Sequence, residues 1–189
     1  MSSQTFGNDM AGLQAVRVIR SPSSAALLVL GSNLGDRLGY LRQGVAAVGK
    51  AGEICAVSPV YESAAAEFLD QGPFLNVGLR LMTSLGPLQL LMWCKSIEFA
   101  AGRRPGIPYG PRSLDMDIAS LGKQVLQSTR ISIPHPRLTE RPFMIAPLAD
   151  IAGSETLPGH ASSLTEIDRK LGRTDLLVVA QATEVWPNA

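Results

Sequence analysis

Cysteine is scarce in this chain. Cys55 and Cys94 are its only two, with neither a CxxC pair nor a histidine-rich partner, so a disulfide framework and a structural zinc site are not expected. Two buried free thiols in a reducing cytoplasm are the reading that remains. Long apolar runs are missing too. None reaches the roughly 20 residues that a membrane-spanning helix needs, so no membrane partner is expected. Residues 1 to 24 lack a basic start, a continuous apolar segment and a small-residue cleavage site, so secretion is not expected either. Charge of one sign is also lacking: 17 Lys and Arg against 16 Asp and Glu leave a formal +1. A balance this even gives no bulk attraction to nucleic acid or anionic lipid, so any anion site must be a local cluster of basic groups.

What is present suits a compact globule. The chain has 189 residues, 46% of them hydrophobic and 17% charged, enough for one domain with a real core. Residues 1 to 24, rich in Ser, Gly, Gln and Asn, read as a mobile extension, and residues 25 to 189 as a single domain. Ala25 to Leu30 is a continuous apolar run, the pattern of a strand covered on both faces. Gly31-Ser32-Asn33-Leu34-Gly35-Asp36 then turns the chain into a helix, with Asp36 suited to its positive end and Asn33 bonding to backbone. The glycine and lysine spacing is not that of a phosphate-binding loop. Leu38, Leu41, Val45 and Val48 keep helical spacing until Gly49.

Glu53 to Tyr61 reads as a second strand broken by Pro59, Glu62 to Pro73 as a loop, and Phe74 to Thr83 as an alternating strand. In that strand Asn76 shares a face with Phe74 and Gly78. A second helix runs from Leu85 to Ala101, carrying Leu88, Leu91, Met92, Lys95, Ile97 and Glu98. A hairpin is expected near Lys123-Gln124 and a short strand over Arg130 to Ile133. A helix is expected over Leu164 to Leu171, and a strand over Leu176 to Ala180. The order β-α-β-β-α-β predicts an α+β, ferredoxin-like sandwich, its sheet mainly antiparallel, with helices on one face and added C-terminal elements.

The chemically loaded stretch runs from Glu98 to Asp117 and ends in Leu114-Asp115-Met116-Asp117-Ile118. On a strand Asp115 and Asp117 project to one side, about 7 Å apart, while Leu114, Met116 and Ile118 project to the other. Such a pair could share hard cations, since magnesium reaches proteins through one or two carboxylates plus substrate phosphates. Alone it is more often the pattern of solvated or salt-bridged surface acids. Arg103, Arg104 and Arg112 alongside supply planar forks for phosphate oxygens and shift the reading to metal-dependent phosphate chemistry. A second stretch, Pro134-His135-Pro136-Arg137-Leu138-Thr139-Glu140-Arg141-Pro142-Phe143, holds a histidine rigidly between two prolines. Arg137 and Arg141 would share a face if the segment coils.

Four segments, Leu30-Gly31-Ser32-Asn33-Leu34-Gly35-Asp36-Arg37, Phe74-Leu75-Asn76-Val77, Gly110 to Ile118 and Ile133 to Leu138, together resemble the 6-hydroxymethyl-7,8-dihydropterin pyrophosphokinase family. The likeness runs in order over residues 26 to 170. It implies transfer of the β,γ-pyrophosphoryl group of ATP to the hydroxymethyl oxygen of the pterin, leaving AMP, in folate biosynthesis. Carried over by position, Asp115 and Asp117 would bind two magnesium ions, and Arg103 and Arg112 would meet the transferring phosphates with His135 and Arg141. Glu98, Ile118, Arg130 and Ser132 would line the nucleotide site. Asn76 would read the pterin edge, Phe74 and Phe143 would flank its ring, and Ser63 and Ala66 would complete the slot. The partners implied are these small molecules and a neighbouring folate enzyme, with no nucleic acid. The chain departs from the family in its loop, where Pro105, Pro108 and Tyr109 replace further basic residues and a tryptophan, and at Lys95, where some relatives have glutamine. The competing reading of the fold is a non-catalytic ferredoxin-like module that binds nucleotide or RNA; it lacks the paired aromatics and basic charge that RNA-binding sheets carry.

Overall fold

The computed structural model describes residues 23–66, 70–104 and 109–187. The expected N-terminal extension lies outside the described residues as far as residue 22, as do Pro105 and Pro108. The first strand, β1 (Ser24–Ser32), leads through the Asp36 turn into α1 (Arg37–Val48). The Gly39 N–H donates to the Asp36 carboxylate at 3.0 Å, the capping bond that this turn was read to make. Then follow β2 (Glu53–Val57), β3 (Val60–Ser63), β4 (Phe74–Thr83) and α2 (Pro87–Ala100). After these come β5 (Asp115–Leu121), the small hairpin β6 (Leu126–Gln127) and β7 (Ser132–Ile133), α3 (Pro142–Ala152), α4 (Leu164–Leu171), β8 (Leu176–Ala180) and α5 (Ala182–Val185).

The main sheet has the order β5-β1-β4-β3-β8, with β2 also paired to β4. Every one of these pairings is antiparallel. The single broken strand expected over Glu53 to Tyr61 is two strands, because Pro59 has no N–H to give the ladder. Ser58 bridges the gap: its N–H donates to the Gly78 carbonyl at 3.0 Å and its hydroxyl accepts from the Gly78 N–H at 2.9 Å. The loop expected from Glu62 starts later than predicted, since Glu62 and Ser63 remain paired to Leu75 and Phe74.

Alternation along the strands sorts the side chains into two layers. Leu28, Leu30, Leu75, Val77, Leu79, Leu81, Met116 and Ile118 join the core beneath α1 and α2, where Leu41, Val45, Val48, Leu90, Cys94 and Ile97 are buried. Leu27, Val29 and Ala119 face the other way, against Met144, Ile145 and Leu148 of α3 and Leu164 and Ile167 of α4. Helices were expected on one face; α3 and α4 also cover part of the other. α3 comes close enough that a Cβ on Gly78 would lie 2.9 Å from the Pro147 carbonyl, so only glycine fits there.

Behind this layer Arg173 joins Tyr61 of β3 (2.6 Å), Asp150 of α3 (2.9 Å) and Asp168 of α4 (2.8 Å). Burial and the hydrogen bond to Asp150 push the Tyr61 hydroxyl up to about 12. Cys94 is buried, and that burial raises its thiol to about 12, so it stays a neutral packing group. Cys55 is exposed rather than buried, because it lies on the outward face of β2. Among the described residues no helix is long and apolar enough to cross a membrane.

Candidate active site

The part of the second sheet face that α3 and α4 leave uncovered forms the floor of a cavity of about 520 Å³. Register places its parts. Asp115 pairs with Gly31 and Asp117 with Val29 across β5 and β1, and Gly31 pairs in turn with Asn76 of β4. All these residues share one face, and all five line the cavity. Gly31 keeps the floor low: a Cβ there would stand 3.3 Å from Asn76 Oδ1 and 3.6 Å from the Phe74 ring.

One side of the cavity is charged. Asp115 forms ion pairs with both Arg103 and Arg112, the latter at 2.7 Å. Burial opposes the Asp115 charge, but the Arg112 and Arg103 guanidinium groups outweigh it and hold the carboxyl below its usual range. Asp117 has the opposite balance. Burial, and then the neighbouring Asp115 carboxylate, push it up to about 6. The two acids thus have different proton affinities although they sit two residues apart on one strand. Arg112 also lies over the Phe74 ring, 4.8 Å from its centre, and Arg141 over the Phe143 ring at 5.6 Å.

His135 reaches the same space from the segment after β7. Its N–H donates to the Ala119 carbonyl at 2.9 Å, tying that segment to β5. Its Nδ1 accepts from the Arg137 N–H at 3.2 Å, which leaves Nε2 to carry the ring proton. Burial and the charges of Arg141 and Arg137 lower its pKa, so it is a neutral donor at pH 7. The other side is less charged. Asn76, 3% exposed, donates from Nδ2 to Ser63 Oγ at 2.9 Å, which aligns its amide edge, and Phe74, Phe143 and Ala66 complete that end. Asn33 fastens the two loops beside the cavity. Its side chain donates to Gln71 Oε1 (2.8 Å) and the Gly72 carbonyl (3.2 Å), while its Oδ1 accepts from the Arg112 N–H at 2.8 Å.

Of the residues expected from sequence, Ser63, Ala66, Phe74, Asn76, Arg103, Arg112, Asp115, Asp117, His135, Arg141 and Phe143 come together in this one cavity. Ile118, Arg130 and Ser132 line an adjoining cleft of about 320 Å³ instead. Glu98 lines neither. It is 3% exposed beneath the site, where it accepts from the Met116 N–H at 2.9 Å and pairs with Arg103 at 2.9 Å. Arg104 turns away from the phosphate side: its guanidinium caps the Phe99 ring at 4.2 Å and donates to the Phe99 carbonyl at the end of α2. Arg137 and Arg141 do not share a helix, since the 3-10 turn Leu138–Glu140 lies between them, yet both line the cavity. Gln71 and Tyr109 also line it. Sequence reading passed over Gln71 because it sits in a stretch without periodicity. Lys95, read as a residue of the second helix and a departure from the family but not as a site residue, is a further lining residue, and its place three positions before Glu98 is the available signal.

The donor set fits a magnesium ion. Asp115 and Asp117 offer hard oxygen ligands on one face, open to the cavity, and no cluster of three or more His, Cys, Asp or Glu able to hold a metal occurs among the described residues. An open pair of this kind leaves positions for water and phosphate oxygens, as magnesium prefers.

Comparison with known proteins shows the family of the chain. The family model described as 7,8-dihydro-6-hydroxymethylpterin-pyrophosphokinase (HPPK) matches residues 27–153. The chain is 40% identical over 131 residues to the 2-amino-4-hydroxy-6-hydroxymethyldihydropteridine pyrophosphokinase of Bacillus subtilis, covering 68% of this chain and 78% of that one. The enzyme of the same name from Aquifex aeolicus is 38% identical over 139 residues, 74% of this chain and 87% of that one. A mitochondrial folate synthesis bifunctional protein of Pisum sativum is 38% identical over 182 residues, 90% of this chain, but the chain spans only 35% of its length. Among solved structures, wild-type Plasmodium falciparum HPPK-DHPS with pteroate shares the fold, with a TM-score of 0.62 at 12% identity, over 78% of this chain and 44% of that one.

Proposed function

This chain belongs to the 7,8-dihydro-6-hydroxymethylpterin-pyrophosphokinase family, and from that premise we propose that it transfers pyrophosphate from ATP to 6-hydroxymethyl-7,8-dihydropterin, as a magnesium-dependent enzyme of folate biosynthesis. In the reaction the pterin hydroxymethyl oxygen bonds to the β-phosphorus, the bond from that phosphorus to the α,β-bridging oxygen breaks, and AMP leaves while the hydroxyl proton is released. The observation that carries the proposal is that one cavity holds two acids on β5 and a buried amide on β4, set on either side of Gly31, with arginines and two aromatic rings around them.

Phosphoryl-type transfer asks little covalent chemistry of a protein and much positioning and charge stabilisation. Asn76, aligned by Ser63, would pair with the amide edge of a bicyclic heterocycle held between Phe74 and Phe143. The alcohol would then point toward the β5 wall. Asp115 and Asp117 would hold two magnesium ions, which when bound neutralise phosphate oxygens and polarise the phosphorus under attack. Arg103 and Arg112, now paired with Asp115, lie where they can turn their remaining N–H groups to the phosphate chain. Neutral His135 and cationic Arg141 would donate from the opposite wall. The adjoining cleft, lined by Ile118, Arg130 and Ser132 among others, would take the adenosine end. A single domain over residues 25 to 189 and a cytoplasmic location complete the reading. A neighbouring folate enzyme is its expected partner, since the pea relative is named a bifunctional folate synthesis protein.

The test is a product assay with ATP, magnesium and hydroxymethyldihydropterin, each omitted in turn. AMP is expected only when all three are present. Release of ADP, or AMP formation without the pterin, would refute the assignment.

A further inference from the structure

Arg173 stands where three elements meet. Gly172 ends α4 with a φ of +75°, a backbone state that favours glycine. The turn brings Arg173 back to its own helix, where its Nε donates to Asp168 at 2.9 Å. Its two Nη groups reach further. Nη1 donates to the Tyr61 hydroxyl of β3 at 2.6 Å, and Nη2 to Asp150 (2.9 Å) and the Ala146 carbonyl (3.3 Å) of α3. Tyr61, 4% exposed, closes the ring by donating from its hydroxyl to the other Asp150 oxygen. None of Tyr61, Asp150, Asp168 and Arg173 lines the cavity, and the reaction proposed above gives them no part.

Both sides of this cluster nevertheless lead to the neutral end of the cavity. On α3, Phe143, Ala146 and Asp150 follow at spacings of three and four, so they fall on one face of the helix. Phe143 reaches the cavity, while Asp150 is held by Tyr61 and Arg173. On the sheet, Tyr61 pairs with Asn76 and Ser63 with Phe74 across β3 and β4, and Ser63 accepts from the Asn76 side chain. The chain after Arg173 runs into β8, where Leu176 pairs with Ser63 and Val178 with Tyr61. The face of α3 that carries Phe143 is thereby tied to the strand pair that carries Ser63, Phe74 and Asn76. The approach of Pro147 to Gly78 also brings α3 onto β4. That contact is packing alone, whereas hydrogen bonds fix both distance and direction.

We propose that Arg173 and Tyr61 are positioning residues: through Asp150 they fix the distance from Phe143 to Phe74 and Asn76, and so the width of the slot that takes a flat bicyclic ring. This deepens the reading of that end of the cavity as the pterin end, and rests on it. The cluster touches no substrate, and it acts on binding of the ring rather than of the phosphate chain.

Calorimetry of the full chain with hydroxymethylpterin tests the proposal. Magnesium and α,β-methylene ATP, which cannot be cleaved at the transferring bond, are present, and the ATP analogue is also titrated alone. Tyr61→Phe deletes only a hydroxyl and should weaken pterin binding about fivefold; Arg173→Met removes every tie and should weaken it about tenfold. Affinity for the ATP analogue should stay within about twofold in both. In steady-state assays KM for the pterin should rise while kcat stays within about twofold, as when ground state and transition state lose binding equally. In a Phe143→Ala background neither substitution should weaken pterin binding more than about twofold, because the ring they position is gone. Val48→Ala, in the core beneath α1 on the other sheet face, is the control for lost stability. It should unfold at lower urea and keep its pterin affinity.

Unchanged pterin binding in Tyr61→Phe, a fall in kcat without a rise in KM, or an equal loss for the ATP analogue would overturn the role of the cluster. So would a loss as large in Val48→Ala, or one undiminished in the Phe143→Ala background. Each of these leaves the proposed reaction standing. Tyr61→Phe carries the test by itself if Arg173→Met does not fold. A parent protein that binds no pterin would overturn both this inference and the reading beneath it.

Discussion

Asp117→Asn is expected to stabilise the fold and to stop the reaction. In the folded protein burial and the Asp115 charge lift the Asp117 carboxyl from an ordinary 3.8 to about 6. Between about pH 4 and 6 the folded state therefore holds a proton that the unfolded chain has released, so stability falls as pH rises through that window. Above it the penalty is complete: about two pH units at 1.4 kcal/mol each, or roughly 2–3 kcal/mol. An uncharged amide of the same shape removes that penalty. Asp115→Asn should do the reverse. The Asp115 carboxyl is held low by two guanidinium groups, so its stabilisation is present above the ordinary carboxylate range and is lost only as pH falls through its lowered value. Removing that shared acceptor should cost about 1–3 kcal/mol. Urea unfolding in a chelator at about pH 8 and about pH 4.5 separates the cases, with the gain in Asp117→Asn shrinking at the lower pH. If Asp117→Asn is no more stable than the parent at the higher pH, or gains equally at both, the penalty inferred at Asp117 from burial and the Asp115 charge is wrong.

Two further substitutions test the frame and the neutral end of the cavity. Gly78→Ala would drive a methyl group into the Pro147 backbone and should cost about 1–3 kcal/mol by overpacking; unchanged urea unfolding would mean that α3 shifts freely on the sheet. Asn76→Ala removes a buried amide bonded to Ser63 and should weaken pterin binding by about 1–3 kcal/mol without altering affinity for a nucleotide analogue, both read by calorimetry; equal losses for the two ligands would remove Asn76 from the pterin edge.

Much of this was legible along the chain, because alternation is a local property. Phe74 to Thr83 is a strand with the predicted bounds, and Asp115 and Asp117 do share a face that Met116 and Ile118 do not. The reading weakened where burial is two-sided or where a side chain had a choice of partners. α3 went unread because Pro142 and Pro147 interrupt it and because Met144, Ile145, Ala146 and Leu148 are buried around much of its circumference, which blurs helical period. The buried stripe of α2 is Leu90, Cys94 and Ile97, whereas Leu88 and Met92 are exposed; Cys94 serves as the small apolar member that a count of leucines overlooks.

The charged groups show the same division. Sequence by itself determined which residue types could serve the chemistry, and that the two acids stand side by side, since spacing along a strand follows from backbone geometry alone. Only tertiary structure decided which arginines face the acids, because Arg103 and Arg104 are adjacent in the chain and part company over which partner lies within reach. It alone sank Glu98 beneath the site, and it alone separated the proton affinities of Asp115 and Asp117. Those outcomes depend on distance and burial among groups far apart in sequence, and electrostatic energy is set by both.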